Sequence, residues 1–467
     1  MGDYPCALEY YQKALVIKKQ VLGENHLDTA TSNNDIGRVY AQMGNYPRAL
    51  EYLERALSIR KQVLGENHPD TATSYNNIGT IYHDMDVLPR ALEYYEQALA
   101  IRKNVLGESH LETASSYNNI GSVYSDMCDY PRALENHKKA LAIRTHFLCE
   151  DHPNTATSYD NVGSDCAYLG DYSRALENYE RGLAIRKNVL GEDHPKTASS
   201  YNNIGAVYDS MGDYPHALKY YEKSLAIRKI VLGEEHLDTV SSYNNVAGTY
   251  RNMGNCLRAL EYYKKGLEIR KRFRGEEHPD TADSYNNIGV VYYEMGDYPQ
   301  ALEYYEQALA IRKHVFGEDH NTASSYNIIG VVYHDLGNFP RSLECHEKAL
   351  SINKHIFGQN HPETATSYDN VGFVYSDMGD YCRALEYYEQ ALAIKKRFFG
   401  EEHPDTADSY NNVGVVYYEM GDFSHALEYL EKALAIQERV LGENHPDTVE
   451  TKENIRVVQN MLSQHGK

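Results

Sequence analysis

The sequence has no closely spaced pair of cysteines. Its seven cysteines include no C-x-x-C, and each replaces a different residue of a repeated pattern: Cys128 and Cys149 stand at a Gly, Cys166 and Cys345 at a Tyr, and Cys382 at a Pro. A zinc site or a disulfide framework needs fixed local spacing. We therefore expect scattered, reduced thiols, with no metal and no cofactor.

Long apolar runs and an excess of basic residues are also missing. No run approaches the roughly 18 residues of a membrane span, and the amino terminus lacks the charged-then-apolar pattern of a secretory signal. The 67 acidic residues outnumber the 46 basic ones, for a net charge of -21, which repels phosphate backbones and anionic lipids. We expect a soluble, cytoplasmic protein with neither nucleic acid nor membrane as a partner.

A repeat of 42 residues is the main feature that is present. A Y-[ND]-x-[IV] motif recurs at intervals of 42 residues, with a single interval of 41. The motif begins at Tyr75, Tyr117, Tyr159, Tyr201, Tyr243, Tyr285, Tyr326, Tyr368 and Tyr410. Self-similarity at this length predicts a solenoid, in which neighbouring units bury one another.

Each unit contains two helical patterns. In residues 69–110, Tyr75 and Tyr82 lie on one face of a first helix, and Ala91 and Leu99 on one face of a second. A Gly precedes the second helix in most units, where a tight turn needs positive φ. Each unit is therefore predicted to be helix, turn, helix.

A histidine recurs before each first helix, as in His68-Pro69-Asp70. Histidines a whole repeat apart cannot converge on one metal ion. We interpret them as helix caps or as residues of loop packing.

These motifs carry a family resemblance over essentially the whole chain. The pattern runs Asn76-Asn77-Ile78-Gly79, Tyr82, Ala91-Leu92, Tyr95, Ala98-Leu99, Ile101-Arg102, Leu106-Gly107-Glu108 and His110. It resembles tetratricopeptide repeats, and its length and its "ALAIRKxVLGExHPDTA" joint are similar to the subtype of kinesin light chains and nephrocystin-like proteins. The resemblance implies an all-α, right-handed superhelical solenoid of stacked antiparallel helix pairs. It also implies that the first helices line a concave groove that receives peptides.

The register of the repeat divides the chain into three parts. Residues 1–23 are predicted to be the orphan second helix of a truncated repeat, residues 24–445 ten helix pairs of one solenoid, and residues 446–467 a capping helix and tail. The last helix carries Arg456 where the repeat has Gly, as a solvated cap would. The apolar pattern of 1–23 has no helix before it, so we expect a fragment of a larger protein or a helix that another chain covers.

One row of polar residues on the first helices is predicted to contact a partner. A carboxamide offers two donors and an acceptor, which suits the backbone of an extended peptide, and by resemblance the row lines the groove. The row is Asn34, Asn76, Asn118, Asp160, Asn202, Asn244, Asn286, Asn327, Asp369 and Asn411. The neighbouring row that contains Asn77 shares a face with apolar residues and is interpreted as structural.

Variable positions on the same face are predicted to set specificity. They become more apolar from Thr80 to Phe373, and acids lie beside them. The candidates are Val290, Tyr293, Glu294, Val331, His334, Val415, Tyr418 and Glu419. An apolar peptide that carries Lys or Arg would suit this surface, whereas the groove of kinesin light chains is basic and receives acidic cargo peptides.

The favoured function is a non-catalytic scaffold that binds peptide segments of partner proteins. Every carboxylate and histidine belongs to a repeating row, and none builds a pocket with a distinct acid, base and nucleophile, so we expect no enzyme. One alternative is a kinesin light chain-like cargo adaptor, although the chain has no heptad run for a motor heavy chain. The others are an element that self-associates through its amino-terminal helix, or part of a larger multidomain signalling protein.

Overall fold

A computed structural model describes residues 4–148 and 151–465 of the chain. Within these two ranges the chain forms 22 α-helices and no strand, and consecutive helices pack in pairs, which confirms the all-α fold. The chain divides into two compact units, an amino-terminal unit (Met1–Ser242) and a carboxyl-terminal unit (Tyr243–Lys467). Cys149 and the ends of the predicted segments, residues 1–3 and 466–467, lie outside the described residues.

The helices follow the predicted register. In the amino-terminal unit they are α1 (Tyr4–Leu22), α2 (Leu27–Gln42), α3 (Tyr46–Leu64), α4 (Pro69–Asp84), α5 (Leu88–Leu106), α6 (Leu111–Asp126), α7 (Tyr130–Phe147), α8 (Pro153–Tyr168), α9 (Tyr172–Leu190), α10 (Pro195–Ser210) and α11 (Tyr214–Val231). Helix α12 (Leu237–Asn252) includes the boundary between the units. The carboxyl-terminal unit continues with α13 (Cys256–Arg274), α14 (Pro279–Glu294), α15 (Tyr298–Phe316), α16 (His320–Asp335), α17 (Phe339–Phe357), α18 (Pro362–Asp377), α19 (Tyr381–Phe399), α20 (Pro404–Glu419), α21 (Phe423–Val440) and α22 (Pro446–His465).

The turn inside each pair has the predicted geometry. Between α14 and α15, Gly296 has a φ of 75°, and the Asp297 carboxylate accepts a hydrogen bond from the backbone N–H of Gln300 over 3.3 Å. The non-glycine residues Asp86 and Cys128 occupy the same turn position with a φ of 59°. Asp is among the few non-glycine residues that adopt this conformation readily.

A glycine of the first helix lets the second helix of the same pair approach closely. A Cβ atom added to Gly79 would lie 2.9 Å from Cδ1 of Tyr95, whose ring is almost fully buried. Gly289 faces Tyr305 in the same way in the other unit. The repeated Gly and Tyr are therefore two halves of one packing contact.

At seven joints an arginine–serine hydrogen bond connects a second helix to the first helix that follows. Arg102 Nη1 donates to Ser116 Oγ over 2.7 Å, and burial lowers the pKa of this guanidinium. The equivalent bonds are Arg60 to Ser74, Arg144 to Ser158, Arg186 to Ser200, Arg228 to Ser242, Arg270 to Ser284 and Arg312 to Ser325. The repeated "IR" motif thus links consecutive pairs, a role that the sequence interpretation did not assign to it.

The repeated histidines cap the first helices, as predicted. His68 Nδ1 accepts the backbone N–H of Asp70 over 3.1 Å. The same bond is made by His26, His110, His152, His194, His236, His278, His361, His403 and His445. Helix α16 differs because the chain is one residue shorter there: Asp319 is the cap and accepts the N–H of Thr322 over 2.8 Å.

The six described cysteines are free thiols. Cys166 and Cys345 are buried, and burial raises the pKa of both. No helix in the described ranges is both long enough and apolar enough to cross a bilayer.

Candidate protein-binding face

The candidate face is the side of the first helices that carries the predicted polar row. Asn34 is buried and the other nine members of the row are half-buried. In the amino-terminal unit this row is hydrogen bonded to the neighbouring row, since Asn77 Nδ2 donates to Asn34 Oδ1 over 2.7 Å. The equivalent bonds run from Asn119 to Asn76 and from Asn161 to Asn118, both over 3.0 Å.

This ladder confirms the structural role predicted for the row that contains Asn77. It also shows what the sequence reasoning missed, because the Oδ1 atoms of Asn34, Asn76 and Asn118 accept bonds from the next repeat. An amide whose oxygen is engaged in this way presents its Nδ2 donors to a ligand. Such a side chain suits the carbonyl groups of a bound backbone.

Two members of the row are aspartates, and each is paired with a cation. Asp160 lies 2.5 Å from Arg186 Nη2, and Asp369 lies 2.8 Å from Lys395 Nζ. Burial raises the pKa of both carboxyl groups, and the neighbouring cations oppose the rise. These two positions form ion pairs inside the chain rather than neutral amide contacts.

The rest of the row in the carboxyl-terminal unit is heterogeneous. Asn327 Oδ1 lies 3.0 Å from Nδ1 of the buried His346, and Asn411 Oδ1 accepts a hydrogen bond from Thr451 over 3.4 Å. Among the described residues, the buried Oδ1 atom of Asn244 has no hydrogen-bond partner. This oxygen is shielded from solvent, so it is not presented to a ligand at the surface.

The predicted specificity positions form an apolar strip on the carboxyl-terminal unit. Val331 and Phe373 are exposed, at 44% and 48%. The half-buried side chains of the strip pack partly against the hydrophobic core: Val290, Tyr293, Val415 and Tyr418. The accessible centre of the strip is therefore smaller than the sequence suggested, and it consists of Val331 and Phe373.

His334 joins this strip to the acids beside it. Its ring centroid is 4.7 Å from that of Phe373, and its Nε2 lies 2.7 Å from the Asp377 carboxylate. One repeat earlier the Tyr293 hydroxyl donates to Asp335 over 2.6 Å, and this bond raises the pKa of Tyr293 to about 12. Tyr293 and His334 thus each contact an acidic residue of the next repeat.

The predicted acidic residues are present, and each has a partner within the chain. Glu294 lies 3.6 Å from Arg251 Nε, and Glu419 accepts a hydrogen bond from the Tyr381 hydroxyl over 3.4 Å. A carboxylate has about four acceptor positions, so one such bond leaves capacity for a cationic ligand. The acids therefore form a rim that is anionic but not isolated.

The same face is polar in the amino-terminal unit. Thr80, which stands where Val290 stands, accepts a hydrogen bond from the Tyr95 hydroxyl over 3.1 Å. His83 lies 2.5 Å from the Asp126 carboxylate. Ser122 and other small residues occupy the remaining positions, so this unit has no counterpart of the apolar strip.

A buried polar cluster lies below the polar face and was not predicted. His137 Nδ1 and Ser125 Oγ each lie 2.6 Å from the Asp165 carboxylate, and His137 and Asp165 are 3% and 1% exposed. A Cβ atom on Gly121 would lie 2.6 Å from His137 Nε2, so no substrate can reach that ring. The sequence signal was present, since His137 and Asp165 stand where Tyr95 and Val123 stack.

Comparisons with known proteins address the family. The tetratricopeptide repeat family matches residues 1–62, 33–104, 70–146, 112–188, 155–230, 233–314, 321–397 and 371–439. A comparison with curated proteins finds no match.

Solved structures also show similarity to the chain. BtubC (BKLC) from P. vanneervenii is 26% identical, with a TM-score of 0.43 over 50% of this chain and 91% of that one. A structure of nearly identical TPR-like repeats from Podosopora anserina, assigned as a kinesin light chain, is 24% identical, with a TM-score of 0.41 over 44% and 97%. The apo form of RapI is 22% identical, with a TM-score of 0.43 over 61% and 98%.

The family match covers nearly the whole chain. It agrees with the repeated helix pairs, with the Gly and Tyr that pack inside each pair, and with the absence of strands from the described residues. The chain belongs to the tetratricopeptide repeat family, whose members are generally non-catalytic scaffolds for protein interactions.

Proposed function

We propose that the first-helix face of the carboxyl-terminal unit binds an extended segment of a partner protein, apolar in part and carrying Lys or Arg. The observation that carries the proposal is the exposure of Val331 and Phe373 between the polar row and the acids. Exposed apolar side chains surrounded by polar groups are typical of interaction sites. The acids Glu294 and Glu419 supply the complement for a cationic peptide.

The polar row and the apolar strip contact different parts of the peptide. The polar row holds the peptide backbone, because the half-buried carboxamides of Asn244 and Asn286 carry both hydrogen-bond donors and an acceptor. The apolar strip selects the side chains. Full burial of an apolar side chain contributes roughly 1.5–3 kcal/mol, so we expect Phe373 to be the principal anchor.

A peptide array tests the selection by side chains. The full chain is applied to immobilised peptides of varied sequence, beside a Val331→Ser/Phe373→Ser variant. The control is Val63→Ser/Phe147→Ser, which removes two side chains of similar exposure, 47% and 53%, from the amino-terminal unit. We expect the strip variant to lose at least about tenfold in affinity, equal to about 1.4 kcal/mol, and the control to bind normally. Equal binding by all three proteins would refute the proposal.

The polar row has a separate test. Replacing Asn244 and Asn286 with Ala is expected to weaken all bound peptides to a similar degree, because backbone contacts are independent of sequence. The strip variant should instead change which peptides bind. Unchanged binding after the two substitutions would place the contact surface elsewhere on the chain.

A specific observation favours self-association as a second candidate function. Helix α1 exposes Tyr10, Val16 and Val21, at 68%, 55% and 74%. An apolar surface of this kind can pack against another chain. Sedimentation velocity over a range of concentrations would show association, and Tyr10→Ser/Val16→Ser would abolish it. A single concentration-independent species would exclude this candidate.

A further inference from the structure

A second apolar surface lies at the edge of the carboxyl-terminal unit, where each first helix turns into the second. We call it the methionine ridge. It consists of Met253, Met295, Leu336, Met378 and Met420, which are 45%, 43%, 42%, 42% and 44% exposed. The equivalent residues of the amino-terminal unit are exposed as well: Met43, Met85, Met127, Leu169 and Met211, at 45%, 37%, 43%, 45% and 48%. This turn position is therefore apolar in both units, although a polar residue would be tolerated at such exposure.

The turn itself does not supply that reason. Its hydrogen bonds are made by the backbone: the Met295 N–H donates to the Val291 carbonyl over 3.1 Å, and the Gly296 N–H donates to the Tyr293 carbonyl over 2.9 Å. The side chain of Met295 points away from these bonds and remains 43% exposed. Neither capping nor turn geometry depends on a thioether.

Carboxylates flank the ridge on both sides. Four carboxylate residues directly precede a ridge residue in the sequence: Glu294, Asp335, Asp377 and Glu419. Three more stand two positions after a ridge residue: Asp297, Asp380 and Asp422. The partners that the structure gives them include two guanidinium groups, those of Arg251 and Arg383. The others include the imidazoles of His334 and His425, the hydroxyls of Tyr293 and Tyr381, and the backbone N–H of Gln300. Arg258 and Arg341 lie in the same turns. The seven carboxylates outnumber these four guanidinium groups, so the surroundings of the ridge remain anionic.

The ridge also contains a recess between two of its members. Met378 and Met420 line a surface recess of 480 Å³ together with Asp380, Tyr381 and Cys382. The apolar sides and the carboxylate of this recess suit one large apolar side chain that has a basic neighbour.

We propose that the methionine ridge docks an amphipathic helix of a partner protein, with its apolar stripe on the methionines and its Lys or Arg residues on the flanking carboxylates. Methionine is unbranched and polarizable, so a row of methionines adapts to the side chains of a helix. A helix presents apolar anchors at i, i+3, i+4 and i+7 along one line. Its apolar residues are distinct from Val331 and Phe373, whereas its carboxylates Glu294 and Glu419 also border that strip.

The opposite edge of the same unit provides a matched control. The second helices end in another exposed apolar row, Phe273, Val315, Ile356 and Phe398, at 54%, 42%, 41% and 57%. Basic residues flank that row, among them Arg272 and Arg397. It offers a similar apolar surface whose local charge is mixed, because Lys271 and Lys396 pair with Glu276 and Glu401, so a basic helix should bind it less tightly than the ridge.

The test uses a fluorescently labelled Leu/Lys amphipathic helix of about 18 residues, or five helical turns, and the full chain. The reference chain carries Gln at Met43, Met85, Met127, Leu169 and Met211, so that the amino-terminal unit offers no equivalent row. In this background the ridge variant is Met295→Gln/Leu336→Gln/Met378→Gln/Met420→Gln, and the control variant carries Gln at Phe273, Val315, Ile356 and Phe398. We expect the ridge variant to bind the helix at least about tenfold more weakly, and the control variant and Val331→Ser/Phe373→Ser to bind within about twofold of the reference chain.

Two further arms make every outcome decisive. A Leu/Glu helix should not bind, since its charge matches that of the ridge. If the ridge variant does not fold, Asp335→Asn/Asp377→Asn should still weaken the Leu/Lys helix about fivefold. Unchanged binding by the ridge variant or by this carboxamide variant, a loss confined to the strip variant, or equal binding of the Leu/Glu helix would overturn the proposal.

Discussion

The two units are built from one repeat and differ where stacking does not fix the residue. Both keep the Gly–Tyr packing and the Arg–Ser bonds. The face of the amino-terminal unit is polar at Thr80 and Ser122, whereas the carboxyl-terminal unit exposes Val331 and Phe373. Eight of the nine phenylalanines lie in the carboxyl-terminal unit. Because the units diverge at exposed positions that stacking does not fix, we expect them to differ in what they bind.

The same contrast exists inside the core, at two buried histidines. Both stand where Tyr95 stands, against a glycine of the first helix. His137 in the amino-terminal unit has the Asp165 carboxylate as its partner, whereas His346 in the other unit has the Asn327 amide. His137 therefore has an ionisable partner, whereas His346 has a neutral one.

The largest effect is expected when the amino-terminal pair is broken. His137→Tyr restores the residue that other repeats have, and it leaves the Asp165 carboxylate buried with Ser125 as its remaining partner. Loss of one member of a buried pair costs about 3–5 kcal/mol. Urea denaturation of the full chain should show this loss in the free energy of unfolding.

The double variant His137→Tyr/Asp165→Val is the control. It rebuilds the Tyr–Val contact seen at Tyr95 and Val123, so we expect stability at or above that of the unmodified chain. If His137→Tyr alone is neutral, or if the double variant is no better than the single one, the pair is not coupled as we describe.

The second effect is a pH dependence specific to His346. Burial, with a smaller contribution from the nearby His334, lowers the pKa of His346 to about 4. The unfolded state, with a pKa of about 6.5, takes up the proton first. Stability is therefore full above about pH 6.5 and declines by about 3 kcal/mol as the pH falls towards 4, below which it levels off.

His346→Tyr should remove this dependence. The measurement is the difference between the unfolding free energies of the two proteins across that pH range. The exposed His355 provides the control, since His355→Tyr should leave the profile unchanged. Parallel profiles for the unmodified chain and His346→Tyr would contradict the account.

The third effect concerns the turns. In the part of the chain that the structure describes, the two non-glycine residues with positive φ lie in the amino-terminal unit, at Asp86 and Cys128. Asp86→Gly should stabilise the chain by about 1 kcal/mol, and Gly296→Asp should destabilise it by about as much, because a side chain in this conformation is strained. Thermal unfolding would detect both shifts, and equal melting temperatures would show that the turn is not strained.

The smallest change in stability is expected from the loss of one helix cap, which two histidines of the carboxyl-terminal unit allow us to compare. His278→Ala removes the cap of α14 and should cost about 1 kcal/mol. His320→Ala should have little effect, because Asp319 caps α16. Local hydrogen exchange at the start of each helix would measure the difference. Equal effects would mean that the cap was assigned to the wrong residue.

The fold was predictable because stacking acts on every repeat. The spacing of Tyr75 and its equivalents gave the period, and Gly296 and its equivalents gave the turns. The histidine caps followed from their position before Pro. The residues that the reasoning missed need three-dimensional neighbours: Asn77 reaches Asn34 across one repeat, and Arg102 reaches Ser116 in the next helix.

The candidate site was predictable in part. Alternation along a helix identifies which residues share a face, but it does not show how much of each side chain the adjacent repeat covers. Val290 and Val331 occupy equivalent positions, and yet one is half-buried and the other exposed. The sequence also did not show which residues pair with the acids, because a contact such as the bond from Tyr293 to Asp335 depends on the packing of two repeats.

The most direct test of the central claim places a photoreactive group on the proposed face. Benzoylphenylalanine is introduced at Phe373 or, as the control, at the exposed Phe147 of the amino-terminal unit, and each protein is irradiated with the tightest peptide from the array. We predict cross-linking from position 373 and none from position 147. Cross-linking from position 147 alone would contradict the assignment of binding to the carboxyl-terminal face.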